Sequence, residues 1–227
     1  MATTTATRCG LARFALTLRR RVGLFGGTFD PPHRAHLLVA QEALRQCGLS
    51  RVVLIPNGVP PQKGGPSETK EDRFRMVQLL VRGRRGLTAS RIEIDRKGPS
   101  YTIDTIRAMK DDSPEGLCFI LGADRLLGID TWREYRALLR SVPLVVAPRS
   151  GIPLSSFSGP PYDEATIHVL DMAAVDLSSS FVRERVASGE PIESWVPRGV
   201  AAYVRSRGLY RTGGRERAQG IGGSYRQ

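Results

Sequence analysis

The stretch Gly26-Gly27-Thr28-Phe29-Asp30-Pro31-Pro32-His33-Arg34-Ala35-His36 decides how the rest of this 227-residue chain is interpreted. It follows a short apolar run, residues 22–26, which predicts a buried first strand. It leads into residues 35–47, where apolar side chains recur with helical spacing and Gly48 can end the helix. The stretch is therefore predicted to be a turn from a strand into a helix, with two glycines at the strand end.

Strand patterns and helix patterns alternate along the rest of the chain. Further strands are predicted at residues 51–56, 89–95, 117–122, 142–147 and 166–170. Helices are predicted at residues 70–82, 102–110, 131–139, 179–188 and 198–207, with a short helix through Leu127 and a loop at residues 58–69. This order predicts an α/β fold, a Rossmann-like doubly wound parallel sheet, in a single domain over residues 22–210.

The positive charge of the chain is concentrated at its ends. Of the net charge of +12, residues 1–21 carry +5 and residues 211–227 carry +3, which leaves +4 for residues 22–210. A mildly basic body suits an enzyme that handles polyphosphates and is weak support for a nucleic-acid groove. A nucleic-acid binder would also carry aromatic residues among its arginines, and the two ends offer only Phe14 and Tyr225. We expect no specific nucleic-acid partner.

The two ends are predicted to be disordered basic extensions. Residues 1–21 lack acids and end in three arginines, so a targeting segment is the alternative for that end. No apolar run approaches the roughly 18–20 residues that span a bilayer, so no membrane partner is expected. Cys9, Cys47 and Cys118 are odd in number and form no CxxC pair, which favours a reducing, cytoplasmic location.

The turn after the first strand has the features of a phosphate site. Gly26 and Gly27 allow a phosphate to approach the backbone, and the helix that follows offers free N–H groups and a positive dipole end. His33 and His36, three residues apart at a helix start, share a face and can donate hydrogen bonds to phosphoryl oxygens. Metal binding by the pair is the alternative, but the sequence shows no further ligands beyond His168. The segment is neither a Walker loop nor GxGxxG.

Residues 23–33 resemble the HxGH-type nucleotidyltransferases, and more closely the bacterial nicotinate mononucleotide adenylyltransferases. The motif of that family ends His-x-Gly-His, whereas this chain has Ala35 in place of the glycine. The resemblance implies that His33 and His36 are catalytic. It also implies that the turn binds ATP through Gly26, Gly27, Thr28 and Phe29.

Two further segments resemble the acceptor side of the family site. In residues 55–63, Lys63 would meet a phosphate, and a solvated loop lysine is the alternative. Residues 98–102 resemble the loop that recognises nicotinate, which implies binding by Tyr101 and Thr102. Here Ser100 or Thr102 can also cap the next helix. Trp132 offers a flat face on which a pyridine ring can stack, or it is a buried anchor.

Two more segments resemble the nucleotide side. Gly122 follows a core strand, and Asp124 would suit a ribose hydroxyl. Residues 176–183 resemble the signature Ser-x-Thr-x-x-Arg, with Ser180 where threonine is usual. Ser178 at a helix N-cap would leave N–H groups for a phosphate, and Arg183 would bridge phosphate oxygens as a third catalytic residue.

The resemblance implies adenylyl transfer from ATP to nicotinate mononucleotide, which gives deamido-NAD and pyrophosphate in NAD biosynthesis. It also implies that the cofactor Mg²⁺ is carried mainly by the phosphates, with no protein metal site. Nicotinamide mononucleotide, phosphopantetheine or a cytidylyl acceptor are alternative chemistries. A further alternative is a nucleotide-binding regulator with weakened catalysis, and Ala35 and Ser180 are the departures from the family motifs that would indicate it. Whether the chain forms a homo-oligomer is left open by the sequence.

Overall fold

The computed structural model describes residues 18–61 and 65–211. Six strands lie within these residues: β1 (Val22–Gly27), β2 (Arg51–Pro56), β3 (Leu87–Ala89), β4 (Leu117–Gly122), β5 (Leu144–Ala147) and β6 (Ile167–Val169). They form one sheet in the order β3-β2-β1-β4-β5-β6, and every neighbouring pair is parallel. The order reverses between β1 and β4, which creates the crevice where open α/β sheets bind ligands.

Seven α-helices lie within the described residues: five connect strands, and the last two follow β6. They are α1 (Arg34–Gln46), α2 (Lys70–Val81), α3 (Thr102–Lys110), α4 (Ala123–Leu127), α5 (Tyr135–Ser141), α6 (Ser179–Ala187) and α7 (Arg198–Arg207). Short 3₁₀ helices lie at Ile129–Thr131, Leu154–Phe157 and Tyr162–Glu164. Gly48, at φ +59°, follows the end of α1, as the sequence predicts.

The four inner strands, β1, β2, β4 and β5, contribute to two cores because successive side chains point to opposite faces of a sheet. In β4, Cys118 and Ile120 pack on one face with α1, α2, α6 and α7. Phe119 and Leu121 pack on the other face with α3, α4 and α5. The predicted doubly wound α/β sheet is therefore confirmed, and the near-continuous apolar runs of the strands reflect burial on both faces.

The strand predicted at residues 89–95 is wrong. The third strand is Leu87–Ala89, which pairs with Val52–Leu54 of β2, and residues 92–94 form a turn. The ladder stops at Ser90, whose N–H donates to the Leu54 carbonyl, and the chain then closes a hydrogen bond from the Asp95 N–H to the Arg91 carbonyl. The alternation of Ile92 and Ile94 therefore comes from a turn that buries Ile94 completely.

The helix predicted at residues 131–139 begins later, at Tyr135. A 3₁₀ turn ends at Thr131, and Trp132 is extended with φ −82° and ψ 146°. Residues 1–17 and 212–227, most of the two predicted basic extensions, lie outside the described residues. Leu18, within the first of those extensions as predicted, is fully buried in the core. Across the part of the chain that the structure describes, no helix has the length and apolar character needed to cross a membrane.

Candidate active site

A cavity of about 730 Å³ opens at the carboxyl edge of the sheet, beside the point where the strand order reverses. Ligands of open parallel sheets bind at this position. All but one of the predicted site residues line it: Gly26, Gly27, Thr28, Phe29, His33, His36, Tyr101, Thr102, Gly122, Asp124, Trp132, Ser178, Ser180 and Arg183. The remaining one, Lys63, lies outside the described residues.

The turn after β1 packs on the buried aromatic ring of Phe29. Phe29 is 1% exposed and has φ +52°, in the left-handed region that non-glycine residues rarely adopt. Its ring packs edge-on against Phe25, with 5.7 Å between centroids. A Cβ on Gly27 would lie 3.1 Å from the Phe29 ring, closer than side chains normally pack, so a larger residue there would require the ring to shift. The buried ring fixes the path of the backbone along the cavity wall.

The two histidines of the turn are stacked. Their ring centroids are 3.7 Å apart and the ring planes meet at 25°. The backbone N–H of His33 donates to Nδ1 of His36 over 3.1 Å. Because a neutral imidazole that accepts at Nδ1 carries its proton on the other nitrogen, Nε2 of His36 is a hydrogen-bond donor. Nδ1 of His33 is buried and makes no hydrogen bond of normal geometry with the described residues, and the His33 side chain lies in a capping-box arrangement with the backbone of His36.

Both histidines are neutral over the physiological pH range. Burial, and then the nearby positive charge of Arg149, lower the pKa of His33 to about 3. The pKa of His36 is lowered well below its ordinary value by burial, with smaller contributions from His33 and Arg149. Each therefore acts as a polar donor rather than as a cation, and the positive charge of the site comes from arginines.

The buried neutral histidines make folding stability depend on pH. The unfolded chain takes up protons as the pH falls below about 6.5, whereas folded His33 stays neutral until about pH 3. Stability contributed by the neutral ring is thus lost as the pH falls through this window, by about 2 kcal/mol at pH 5 for His33 alone. We expect the free energy of unfolding in urea to fall less between pH 7 and pH 5 in His33→Asn than in the wild type. Equal slopes in the two proteins would contradict the neutral state.

Ala35, the departure from the family motif, lies inside the first turn of α1. It is 7% exposed and lines the cavity. The backbone at this position is helical, and alanine has a higher helix propensity than glycine. Alanine in place of the family glycine therefore costs nothing in backbone conformation. Its methyl group adds to the apolar floor beside the two histidines.

The start of α6 brings a guanidinium to the same turn. Ser178 is the N-cap, as the sequence predicts, and accepts a hydrogen bond from the Phe181 N–H at 3.1 Å. Arg183 donates from Nη1 to the Asp30 carbonyl oxygen at 2.8 Å and from Nη2 to Ser180 Oγ at 3.0 Å. The arginine is thereby oriented by the histidine turn itself, 153 residues away in sequence.

On the other side of the cavity, the prediction that Ser100 or Thr102 caps α3 is wrong. The N-cap residue is Tyr101, and no side chain caps the helix. Ser100 is instead buried, and its Oγ accepts from the Gly58 N–H at 2.9 Å. The loop after β2 and the loop before α3 are therefore joined, and the start of α3, which has no side-chain cap among the described residues, lies at the cavity through Tyr101 and Thr102. The half-buried Trp132 packs edge-on against Phe119, with 6.2 Å between centroids.

Arg149, absent from the predicted set, lies at the centre of the site. It follows β5 and lines the cavity, where its Nε is 3.5 Å from Asp124 Oδ1 and its Nη1 donates to the Val175 carbonyl at 2.5 Å. Asp124, predicted for a ribose hydroxyl, thus also anchors an arginine. The signal that could have found Arg149 is its position just beyond the carboxyl end of a predicted strand.

Arg73 of α2 is a second residue that the sequence does not reveal. It is fully buried, and no carboxylate of the described residues lies within hydrogen-bond distance of its guanidinium. Its guanidinium donates to the carbonyl of Thr28 at 2.8 Å and to Oδ1 and the carbonyl of Asn57 at 2.8 and 2.7 Å. Weaker bonds reach the carbonyls of Gly58 and Glu68. One side chain therefore ties together the loops that leave β1 and β2.

Comparisons with known proteins agree with this geometry. A family model described as cytidylyltransferase-like matches residues 24–185. A "Probable nicotinate-nucleotide adenylyltransferase" of Geobacillus thermodenitrificans is 40% identical over 192 residues, which is 84% of this chain and 86% of that protein. The chain belongs to the nicotinate-nucleotide adenylyltransferase family.

Other members of the nicotinate-nucleotide adenylyltransferase family match at similar levels. A protein of the same printed name from Leifsonia xyli is 39% identical over 195 residues, 86% of this chain and 96% of its own length. The solved structure of the Plasmodium falciparum nicotinic acid mononucleotide adenylyltransferase, complexed with NaAD, has a TM-score of 0.71 at 16% identity. It covers 85% of this chain and 98% of that one, so the two share a fold.

Proposed function

We propose that the chain transfers the adenylyl group of ATP to nicotinate mononucleotide, forming deamido-NAD and pyrophosphate. The observation that carries this proposal is the pair of stacked neutral histidines beside Arg149 and Arg183 at the switch point of the sheet. Such a set of donors suits a transition state that spreads negative charge over phosphoryl oxygens. Membership of the family and the names of the relatives support the choice of substrates.

The proposed chemistry needs no general base. A phosphate oxygen of the mononucleotide is already an anion; it forms a bond to the α-phosphorus of ATP, and the bond from that phosphorus to the pyrophosphate oxygen breaks. Catalysis then depends on alignment and on the stabilisation of charge. Nε2–H of His36 would donate to the α-phosphate, Arg183 and Ser180 would meet the leaving pyrophosphate, and Gly26–Phe29 would line the nucleotide.

For the acceptor, the start of α3 is the proposed nicotinate subsite. The uncapped N–H groups after Tyr101 and Thr102 and the positive end of the helix suit a carboxylate. Trp132, extended after its 3₁₀ turn, would stack on the pyridine ring. Nicotinamide lacks the negative charge, so it would lose the stronger, charge-assisted hydrogen bonds.

Mg²⁺ would enter with the triphosphate of ATP. The cavity-lining carboxylates among the described residues are Asp30, Glu93 and Asp124, and each is already paired with a donor. With its carboxylates already paired, the cavity suits a cation that is held by phosphates and water rather than by a cage of protein ligands. When bound, the metal would offset charge on the phosphate oxygens.

The two described cysteines, Cys47 and Cys118, are buried and free, which supports the proposed cytoplasmic location.

The test is pyrophosphate release by the purified chain with ATP, Mg²⁺ and either mononucleotide. We expect turnover with nicotinate mononucleotide and a kcat/KM for nicotinamide mononucleotide that is lower by about 10–100-fold, the worth of one charge-assisted hydrogen bond. A reaction without acceptor measures simple ATP hydrolysis. If the protein binds ATP but releases no pyrophosphate with either mononucleotide, the result would favour a nucleotide-binding regulator over an enzyme.

A further inference from the structure

The last described turn of the chain reaches back to the active site. Tyr210, beyond α7, is separated from Asp30 by 180 residues, yet its hydroxyl donates to Asp30 Oδ1 at 2.8 Å. Its backbone N–H donates to Glu68 Oε1 at 3.0 Å, which fixes the residue at both ends. Tyr210 is not among the described residues that line the cavity, and its hydroxyl reaches the cavity wall through Asp30.

Asp30 connects three parts of the site. It is 4% exposed, lines the cavity and precedes the two prolines of the histidine turn. Its Oδ2 accepts from the Ser67 N–H at 2.6 Å, and its carbonyl oxygen accepts from Arg183 Nη1 at 2.8 Å. Any displacement of the Asp30 backbone therefore moves the anchor of Arg183 and the start of the turn that carries His33.

We propose that Tyr210 is a positioning residue for adenylyl transfer, which holds Asp30 and thereby the Arg183 guanidinium and the histidine turn in their reactive arrangement. The inference rests on the proposed function.

The hydroxyl is a dependable donor. Burial and the adjacent Asp30 carboxylate raise the pKa of Tyr210, so the proton stays on the phenol. Without it, Asp30 Oδ1 would be a buried acceptor lacking its donor, and two arginines are close to Asp30: Arg183 binds its carbonyl, and the charge of Arg73 interacts with its carboxylate. A carboxylate that turns toward Arg183 would withdraw that side chain from the phosphates. Displacements of about 1 Å can cost on the order of 10²-fold in rate.

Tyr210→Phe removes the hydroxyl and keeps the ring. We expect kcat to fall by about 10–100-fold while KM for both substrates stays within about twofold, because Arg183 acts on charge that develops in the transition state. Tyr203→Phe is the matched control: the Tyr203 hydroxyl on α7 also donates over 2.8 Å to a carboxylate, Asp72 Oδ1, which does not line the cavity. Its kcat should stay within about twofold of the wild type.

A second pair of measurements separates positioning from general destabilisation. Asp30→Ala removes the acceptor of the same contact and should reproduce the loss of kcat at unchanged KM. In Arg183→Ala, addition of Tyr210→Phe should cause a smaller loss than it causes in the wild type, because part of its effect passes through Arg183. Thermal melting establishes the temperature at which every variant is folded, and assays are run below it.

The outcomes discriminate between the two proposals. A wild type without turnover on nicotinate mononucleotide would count against the proposed function. An active wild type that keeps its kcat in Tyr210→Phe, or losses that multiply in the double variant, would overturn the positioning role alone.

Discussion

We expect His36→Ala to lower the kcat of adenylyl transfer by about 10²–10³-fold and to leave the protein folded, because one preorganised donor to the reacting phosphate is lost. The ring of His36 stacks on His33 and meets Phe29 edge-on at 4.9 Å, so its Nε2–H is held in one direction. Steady-state pyrophosphate release measures kcat, and circular dichroism with thermal melting measures folding.

The matched control for His36→Ala is another buried histidine of the same chain. His168 on β6 is 6% exposed, does not line the cavity and has both ring nitrogens unpartnered within the described residues. His168→Asn should therefore keep its kcat within about twofold of the wild type. Turnover close to that of the wild type in a folded His36→Ala protein would remove the histidine pair from the mechanism.

Arg73→Met is expected to lower the free energy of unfolding by about 3–5 kcal/mol, because the carbonyls that Arg73 binds would stay buried without donors. Tm should fall by on the order of 10 °C. Turnover should fall as well, since the loops after β1 and β2 are no longer tied together. Urea unfolding monitored by fluorescence gives the free energy.

Two variants on the same helix control for this result. Arg75→Met removes an exposed guanidinium whose hydrogen bond goes to Gln78, and it should change stability by less than about 0.5 kcal/mol. Arg73→Lys keeps the charge but cannot reproduce the planar set of donors, so it should restore only part of the loss. A fully stable Arg73→Met protein would show that water replaces the guanidinium at no cost.

Most strands of the sheet could be predicted because each is specified by a pattern within its own few residues. Apolar runs such as 117–122, each ending at a glycine or proline and followed by a helix pattern, specify a buried parallel strand without knowledge of its neighbours. The third strand was misplaced because Ile92 and Ile94 alternate as in a strand, while the actual edge strand has only three residues. Its position depends on pairing with β2, which a local pattern does not contain.

The site was predictable where the chemistry follows a strand end and unpredictable where it depends on long-range contacts. The histidine turn, Gly122 and Asp124 all follow strands that the pattern identifies. Ser100 illustrates the opposite case, since its expected local cap is replaced by a hydrogen bond to Gly58, 42 residues earlier. A Cβ on Gly58 would overlap the carbonyl oxygen of Glu93, and this close approach is likewise invisible in the local sequence.

The contact of Tyr210 with Asp30 also has a consequence for synthesis on the ribosome. The histidine turn leaves the ribosome early, yet the residues that hold it, Arg183 and Tyr210, are translated 153 and 180 residues after Asp30. At about 5–20 residues per second, roughly ten to forty seconds separate the two events. The nascent chain therefore carries an incomplete site for most of its synthesis, and competence for catalysis arrives only with the last turn of the domain.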